Sequence, residues 1–170
     1  MDSRYPRCPD IDEVKEYVYL YPGEYHFARE PTLIHTVLGS CVSVVLFDKK
    51  SHIGSMCHAV LDTNPSTKEP DACAKYMDCV IDEMIQKFSE YQIEIQSLVV
   101  KVFGGAKMLD QGKQASSTAY PGTKNILMAR TILQEHGCTI DAEDCGGNRG
   151  RKIYFCSHSG NVYLTRIKKS

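Results

Sequence analysis

Apolar and polar positions alternate or cluster along this chain in a way that divides it into short strands and two helices. Tyr17 to Tyr21 alternates aromatic and aliphatic side chains before Pro22-Gly23, which reads as a strand closed by a turn. Thr32–Val37 is a second extended segment. Val42–Phe47 is an apolar run broken only by Ser43, the pattern of a buried strand. Asp48-Lys49-Lys50-Ser51 is a polar turn, so Ile53–Leu61 is expected to return antiparallel beside the preceding strand. Between Asp71 and Tyr91 the residues Cys73, Tyr76, Met77, Val80, Ile81, Met84, Ile85 and Phe88 recur every three or four positions. That spacing predicts an amphipathic helix, with Asp71 as its N-cap and a Met/Tyr stripe facing the core.

The second half continues the alternation of strand and helix. Ser97–Phe103 reads as a strand ending at Gly104-Gly105, and Thr123–His136 as a helix stopped by Gly137. Strands are expected at Cys138–Asp144, Lys152–Cys156 and Val162–Ile167, the last two joined through Ser157–Asn161. Strands first, then helix–strand–helix–strand and a closing hairpin, predict an α/β (α+β) fold. The expected architecture is a single layered domain with a mixed, largely antiparallel sheet and two main helices. No repeat, low-complexity tract or linker divides it, so residues 1–12 are read as a loose arm and 13–170 as one domain.

Composition narrows the function more than the fold. At 170 residues and a net charge of −1, the chain can bury a real core and carries no basic footprint for nucleic acid. It has no signal-peptide core and no apolar run of the roughly 18 residues a membrane span needs, so a cytoplasmic protein is expected. The eight cysteines show neither a Cys-x-x-Cys knuckle nor the close framework of a small secreted domain, so neither structural zinc nor disulfides are implied.

One cysteine has a distinctive setting. Cys41 follows Gly39-Ser40 at the mouth of the buried strand, and the return strand brings His58 near it across the hairpin. A thiol attacks carbonyl carbon as thiolate, and an adjacent imidazole is the usual means of activating it. Backbone N–H groups near Gly39 could stabilise an oxyanion. The same residues also fit a buried apolar cysteine and an ordinary histidine, and spacing alone leaves both readings open. Cys57, adjacent to His58, should face the other side of its strand and serve as core. Gly104-Gly105 is either a bend or a place for substrate backbone to approach; Gly146-Gly147-Asn148-Arg149 is either a turn or a turn with a functional arginine. Neither has the spacing of a phosphate loop. Asp62–Pro70, polar and bounded by proline, either borders a substrate groove or is a solvated loop.

Four segments taken together are more specific. TVLGSCVSVVLFD, GSMCHAVL, KVFGGAKM and AEDCGGNRGRKI, in that order, resemble the successive signatures of the CheD-type chemoreceptor glutamine deamidases of bacterial chemotaxis. The resemblance runs from about Gly23 to about Ile167, and departs at the Ala-Val-Leu-Asp after His58, where the family often has an apolar stretch ending in Leu-Pro. It implies Cys41 as nucleophile, His58 as base and Thr36 as the third member of a triad, with His35 the alternative if the register shifts by one residue. It implies hydrolysis of receptor glutamines to glutamate through a thioester, without metal or organic cofactor. Gly39, Ser40, Gly104, Gly105, Asn148 and Arg149 are the candidate substrate-binding residues. The implied partners are chemoreceptor cytoplasmic helices and a CheC-type phosphatase. The competing readings are a regulatory binding module for that phosphatase, or a thiol amidase or esterase acting elsewhere, including on receptor methyl esters.

Overall fold

The computed structural model describes residues 10–65, 70–108 and 120–168. The arm up to residue 9 and part of the Asp62–Pro70 segment therefore lie outside the described residues.

Strands β1 (Glu16–Tyr19), β3 (Thr32–Leu38), β8 (Arg151–Cys156) and β9 (Val162–Arg166) form one sheet in the order β1-β3-β8-β9. A second sheet runs β2-β5-β4-β6-β7, with β2 at Glu24–Ala28, β4 at Val42–Asp48, β5 at Ile53–His58, β6 at Val99–Gly104 and β7 at Ala142–Cys145. Most pairings are antiparallel; β1 with β3 and β6 with β7 are parallel. The α+β class, the mixed pairing and the two helices match the sequence expectation. The strands, however, divide between two sheets instead of one. The strand Glu24–Ala28 was not anticipated, because its pattern, exposed at Glu24 and only partly buried through Phe27, lacks a strong alternation.

The two sheets face each other and the helices α1 (Met77–Glu90) and α2 (Pro121–Glu135) cover the outer face of the five-stranded one. Between the sheets lie Leu20, Ile34, Leu38, Val45, Phe47, Met56, Phe103, Ile153 and Phe155. Under the helices lie Val42, Val44, Leu46, Cys57 and Ala59 against Met77, Val80, Ile81, Met84, Phe88, Ile126, Ala129 and Leu133. Strand β4 is thus central in its sheet and covered on both faces. All seven of its residues are buried, which is why Val42–Phe47 is apolar but for Ser43.

Helix α1 buries six apolar side chains; at about 1.5–3 kcal/mol for each fully buried one, this face dominates its stability. Its N-cap is Tyr76, without a side-chain capping bond, and not Asp71. Residues Pro70–Lys75 form a separate 3₁₀ turn instead. The carbonyl of Lys75 accepts from the N–H groups of Val60 and Leu61, and Met77 N–H donates to Leu61 O. These bonds to the continuation of β5 compete with helical ones and delay the helix. A second correction follows from the same bend. It brings Cys73 to Cys79, with Cα atoms 5.2 Å apart, and the two form a disulfide that the cysteine spacing did not imply.

Candidate functional site

Strand register sets the thiol and the imidazole on one face of their sheet. Val42 pairs with Ala59 and Val45 with Met56, so Cys41 stands opposite Val60 and Ser43 opposite His58. Opposed residues of an antiparallel pair share a face, and Cys41 and His58 are therefore diagonal neighbours on the face turned toward the other sheet. Such neighbours have Cβ atoms roughly 7 Å apart, within reach of a thiol and a ring. Cys57, one residue away, points to the opposite face, packs under the helices, and has its thiol pushed up to about 11 by burial.

Thr36 enters from the facing sheet. On β3 the residues Ile34 and Leu38 point into the space between the sheets, and Thr36, of the same parity, points there too. His35 points outward, half-buried, with its ring 5.6 Å from Tyr154 and 5.2 Å from Tyr19. The Thr36 hydroxyl donates to Leu20 O at 2.7 Å. Its one proton is then committed, so at its 2.7 Å contact with Nδ1 of His58 it must accept. That fixes the tautomer: Nδ1 carries the hydrogen and Nε2 keeps a lone pair. Among the described residues Nε2 has no hydrogen-bond partner.

Thr36 and His58 are only 1% and 2% exposed, whereas Cys41 is partly exposed. Burial holds the imidazole below its ordinary pKa, against an opposing hydrogen bond to Leu20 O and the charge of Glu24. Burial raises the Cys41 thiol, with its own backbone N–H pulling the other way. Both shifts favour a neutral thiol beside a neutral imidazole over a standing ion pair. The arrangement suits a base that takes the thiol proton as attack occurs.

The backbone around the thiol is pinned at three successive carbonyls. Gly39 O accepts from Ala106 N–H at 2.8 Å, Ser40 O from Asn125 Nδ2 at 3.2 Å, and Cys41 O from Gly105 N–H at 2.8 Å. Gly104 has φ +113°, and a Cβ there would sit 2.3 Å from Cys41 O. Gly105 has φ +71°, and a Cβ there would strike Ile126 at 2.4 Å. The glycine pair thus lets the end of β6 and helix α2 close against the Cys41 segment. Among the described residues no group of three His, Cys, Asp or Glu side chains gathers as metal ligands, and no helix is long and apolar enough to cross a membrane.

The family model described as CheD chemotactic sensory transduction matches residues 61–166. A protein of Geobacter sulfurreducens named probable chemoreceptor glutamine deamidase CheD 2 is 41% identical over 170 residues, covering all of this chain and 98% of its own length. The Chromobacterium violaceum probable chemoreceptor glutamine deamidase CheD 1 is 31% identical, covering 99% of this chain and 87% of its own. A relative in Methanococcus maripaludis, of the same name without a number, is 33% identical over 85% of this chain and 91% of its own. The chain belongs to the CheD family. Cys41, His58 and Thr36 lie upstream of the stretch matched by the CheD family model, but within the full-length relative's alignment.

The remaining expected residues separate into two groups. Gly39 lies against Met108, and a groove of about 450 Å³ beside it is lined by Val37, Met108, Asn148, Arg149, Ile167 and Lys168 among others. Arg149 Nε donates to Ile167 O at 3.0 Å and is partly exposed at this edge. Gly104 and Gly105 serve backbone closure as described. Three polar residues around this candidate site escaped the sequence reading. Arg151, 1% exposed, donates to the carbonyls of Gly104 (2.7 Å), Asp144 (2.8 Å) and Gly146 (2.6 Å), tying the GGNRGRK loop to the end of β6. Its ion pair with Asp144 supplies the countercharge, with Nε 3.3 Å from Oδ1. Ser43 faces His58, and Asn125 bridges two carbonyls beside Cys41. The only signal for Arg151 was a second arginine in the glycine-rich motif; nothing in sequence marks Asn125, an isolated polar residue on a helix.

Proposed function

We propose that this chain hydrolyses the side-chain carboxamide of selected chemoreceptor glutamines to glutamate, with Cys41 as nucleophile, His58 as base and Thr36 orienting the ring. The observation that carries this reading is the Leu20–Thr36–His58 hydrogen-bond relay, which leaves a buried, unpartnered Nε2 on the face occupied by Cys41. The names of the relatives supply the substrate class.

His58 Nε2 takes the thiol proton as Sγ bonds to the carboxamide carbon, and the carbonyl electrons move onto oxygen. Backbone N–H groups of the Ser40-Cys41 segment, which the bonds to its carbonyls hold in place, stabilise that oxygen. The imidazolium returns the proton to the amine, the C–N bond breaks, and ammonia leaves a thioester. Water then attacks as neutral Nε2 accepts its proton. The C–S bond breaks, the glutamate side chain departs, and the proton returns to Cys41. The product carries one more negative charge on a receptor helix than the substrate, enough to alter its packing and so signalling.

The groove between Val37 and Ile167 borders Gly39 and has Arg149 and Lys168 at its edge, which suits an amphipathic helix bearing acidic groups. Asn148 and Arg149 are its substrate-contacting candidates. A cytoplasmic location and pairing with a CheC-type phosphatase belong to the same reading. The test is incubation of wild type and Cys41→Ala with a chemoreceptor cytoplasmic fragment, followed by peptide mass analysis. Gln-to-Glu conversion by wild type alone is expected. No conversion, or equal conversion by the variant, sinks the reading; conversion of methyl esters alone favours a thiol esterase.

A further inference from the structure

The ladder between β4 and β5 stops one rung early. Val42 and Ala59 exchange both hydrogen bonds, N–H to O at 3.0 and 2.9 Å. The next rung of an antiparallel pair would join Ser40 to Leu61. Leu61 N–H instead donates to Lys75 O, and the strands part beside Cys41. A side chain of helix α2 occupies the opening. Nδ2 of Asn125 donates to Ser40 O at 3.2 Å and to Val60 O at 2.9 Å, one carbonyl from each parted strand.

These two carbonyls bracket the nucleophile. Ser40 precedes Cys41 in the chain, and Val60 faces it across the pair. Asn125 is 1% exposed, and both its N–H hydrogens are used in the bridge. Its Oδ1 is buried without a partner among the described residues. A buried orphan acceptor costs about 1–3 kcal/mol, which an apolar residue would avoid. The amide donors must therefore be what the position uses. Helix α2 reaches this depth because Gly122 packs on Gly105: a Cβ on Gly122 would lie 2.6 Å from Gly105 backbone.

We propose that Asn125 is a positioning residue of the thiol site, holding the Ser40-Cys41 segment at a fixed distance from the strand that carries His58. The proposal rests on the reading of Cys41 and His58 as nucleophile and base. Without the bridge, Ser40 O and Val60 O lose their donor, the parted strands are free to shift, and Sγ drifts relative to Nε2. A misplacement of about 1 Å in such a pair costs about 10²-fold in rate.

The experiment is a double-mutant cycle read on Cys41 itself, with no receptor present. Iodoacetamide alkylation of Cys41 is followed by peptide mass analysis at neutral pH in wild type, His58→Ala, Asn125→Asp and the double variant. Far-ultraviolet circular dichroism and thermal melting confirm that each is folded. Asn125→Asp keeps the shape but replaces both donors with acceptors; Asn125→Ala is the second choice should it fail to fold. In the wild-type background His58→Ala is expected to slow alkylation about tenfold or more. In the Asn125 background the same change is expected to alter it less than about twofold, because the pair is already uncoupled. A purely structural Asn125 would lower the melting temperature and leave the tenfold effect of His58 intact, which overturns the proposal. If His58→Ala has no effect even in wild type, the base assignment fails, and this proposal fails with it.

Discussion

Replacing Thr36 by valine keeps its volume and branching and removes one hydroxyl. Two 2.7 Å contacts disappear, the donation to Leu20 O and the acceptance from His58 Nδ1. Leu20 O also lies within hydrogen-bonding reach of His58, so Nδ1–H can turn to that carbonyl and neither group is left fully orphaned. The stability loss is therefore near the lower end for a buried hydrogen bond, about 1–2 kcal/mol. The rate suffers more. A ring that turns toward Leu20 O carries Nε2 away from Cys41, and loss of such an orienting partner costs about 10–100-fold. Thr36→Ser, which restores the hydroxyl, is expected to recover most of the rate. His35→Ala removes outward ring contacts with Tyr19 and Tyr154, on the face away from His58, and is expected to stay within about threefold of wild type. The assay is initial deamidation rate on a chemoreceptor fragment beside thermal melting of each variant. A folded Thr36→Val protein within threefold of wild type, or a His35→Ala protein slower than Thr36→Val, would refute the reasoning.

Cys41→Ala is expected to abolish deamidation while melting within a few degrees of wild type, since the thiol is small and partly exposed; either an unfolded variant or a residual rate contradicts it. The acid limb of kcat/KM should lie below the ordinary histidine value of about 6.5, because burial lowers His58, and the rate should be flat through neutrality; a midpoint above 7 would show the imidazole is not in this environment. The same shift has a stability consequence of fixed sign. The neutral ring is favoured in the folded state, so its contribution is complete above about 6.5 and is lost as pH falls through the lower folded value, which denaturant titrations of wild type and His58→Gln would compare. Gly104→Ala forces a Cβ to 2.3 Å from Cys41 O at φ +113°, and about 3 kcal/mol of destabilisation is expected from strain and overpacking together; a neutral melting shift would mean the bend relaxes freely.

Periodicity in the chain was sufficient for the α+β class, the two helices and the antiparallel hairpin of β4 and β5, because those features depend on local spacing of apolar residues. Register then followed from parity: with Cys41 and His58 on one face and Cys57 on the other, the hairpin largely determined which thiol could meet the imidazole. Thr36 is different. Parity alone says that Thr36 and His35 point opposite ways, but only the packing of a second sheet says which side faces His58. That division into two sheets is a long-range choice, set by which strands share a core, and local pattern carries no record of it. The 3₁₀ turn ahead of α1 and the Cys73–Cys79 disulfide depend likewise on Lys75 bonding to β5's continuation, a contact between distant residues. Arg151 and Asn125 were least legible of all, since each acts on backbone carbonyls, and a carbonyl has no side-chain identity to read. Element type and the β4–β5 hairpin came from the apolar pattern; strand order, and the charge and hydrogen-bond partners that orient the site, arose only when two sheets and a helix closed on the same few backbone atoms.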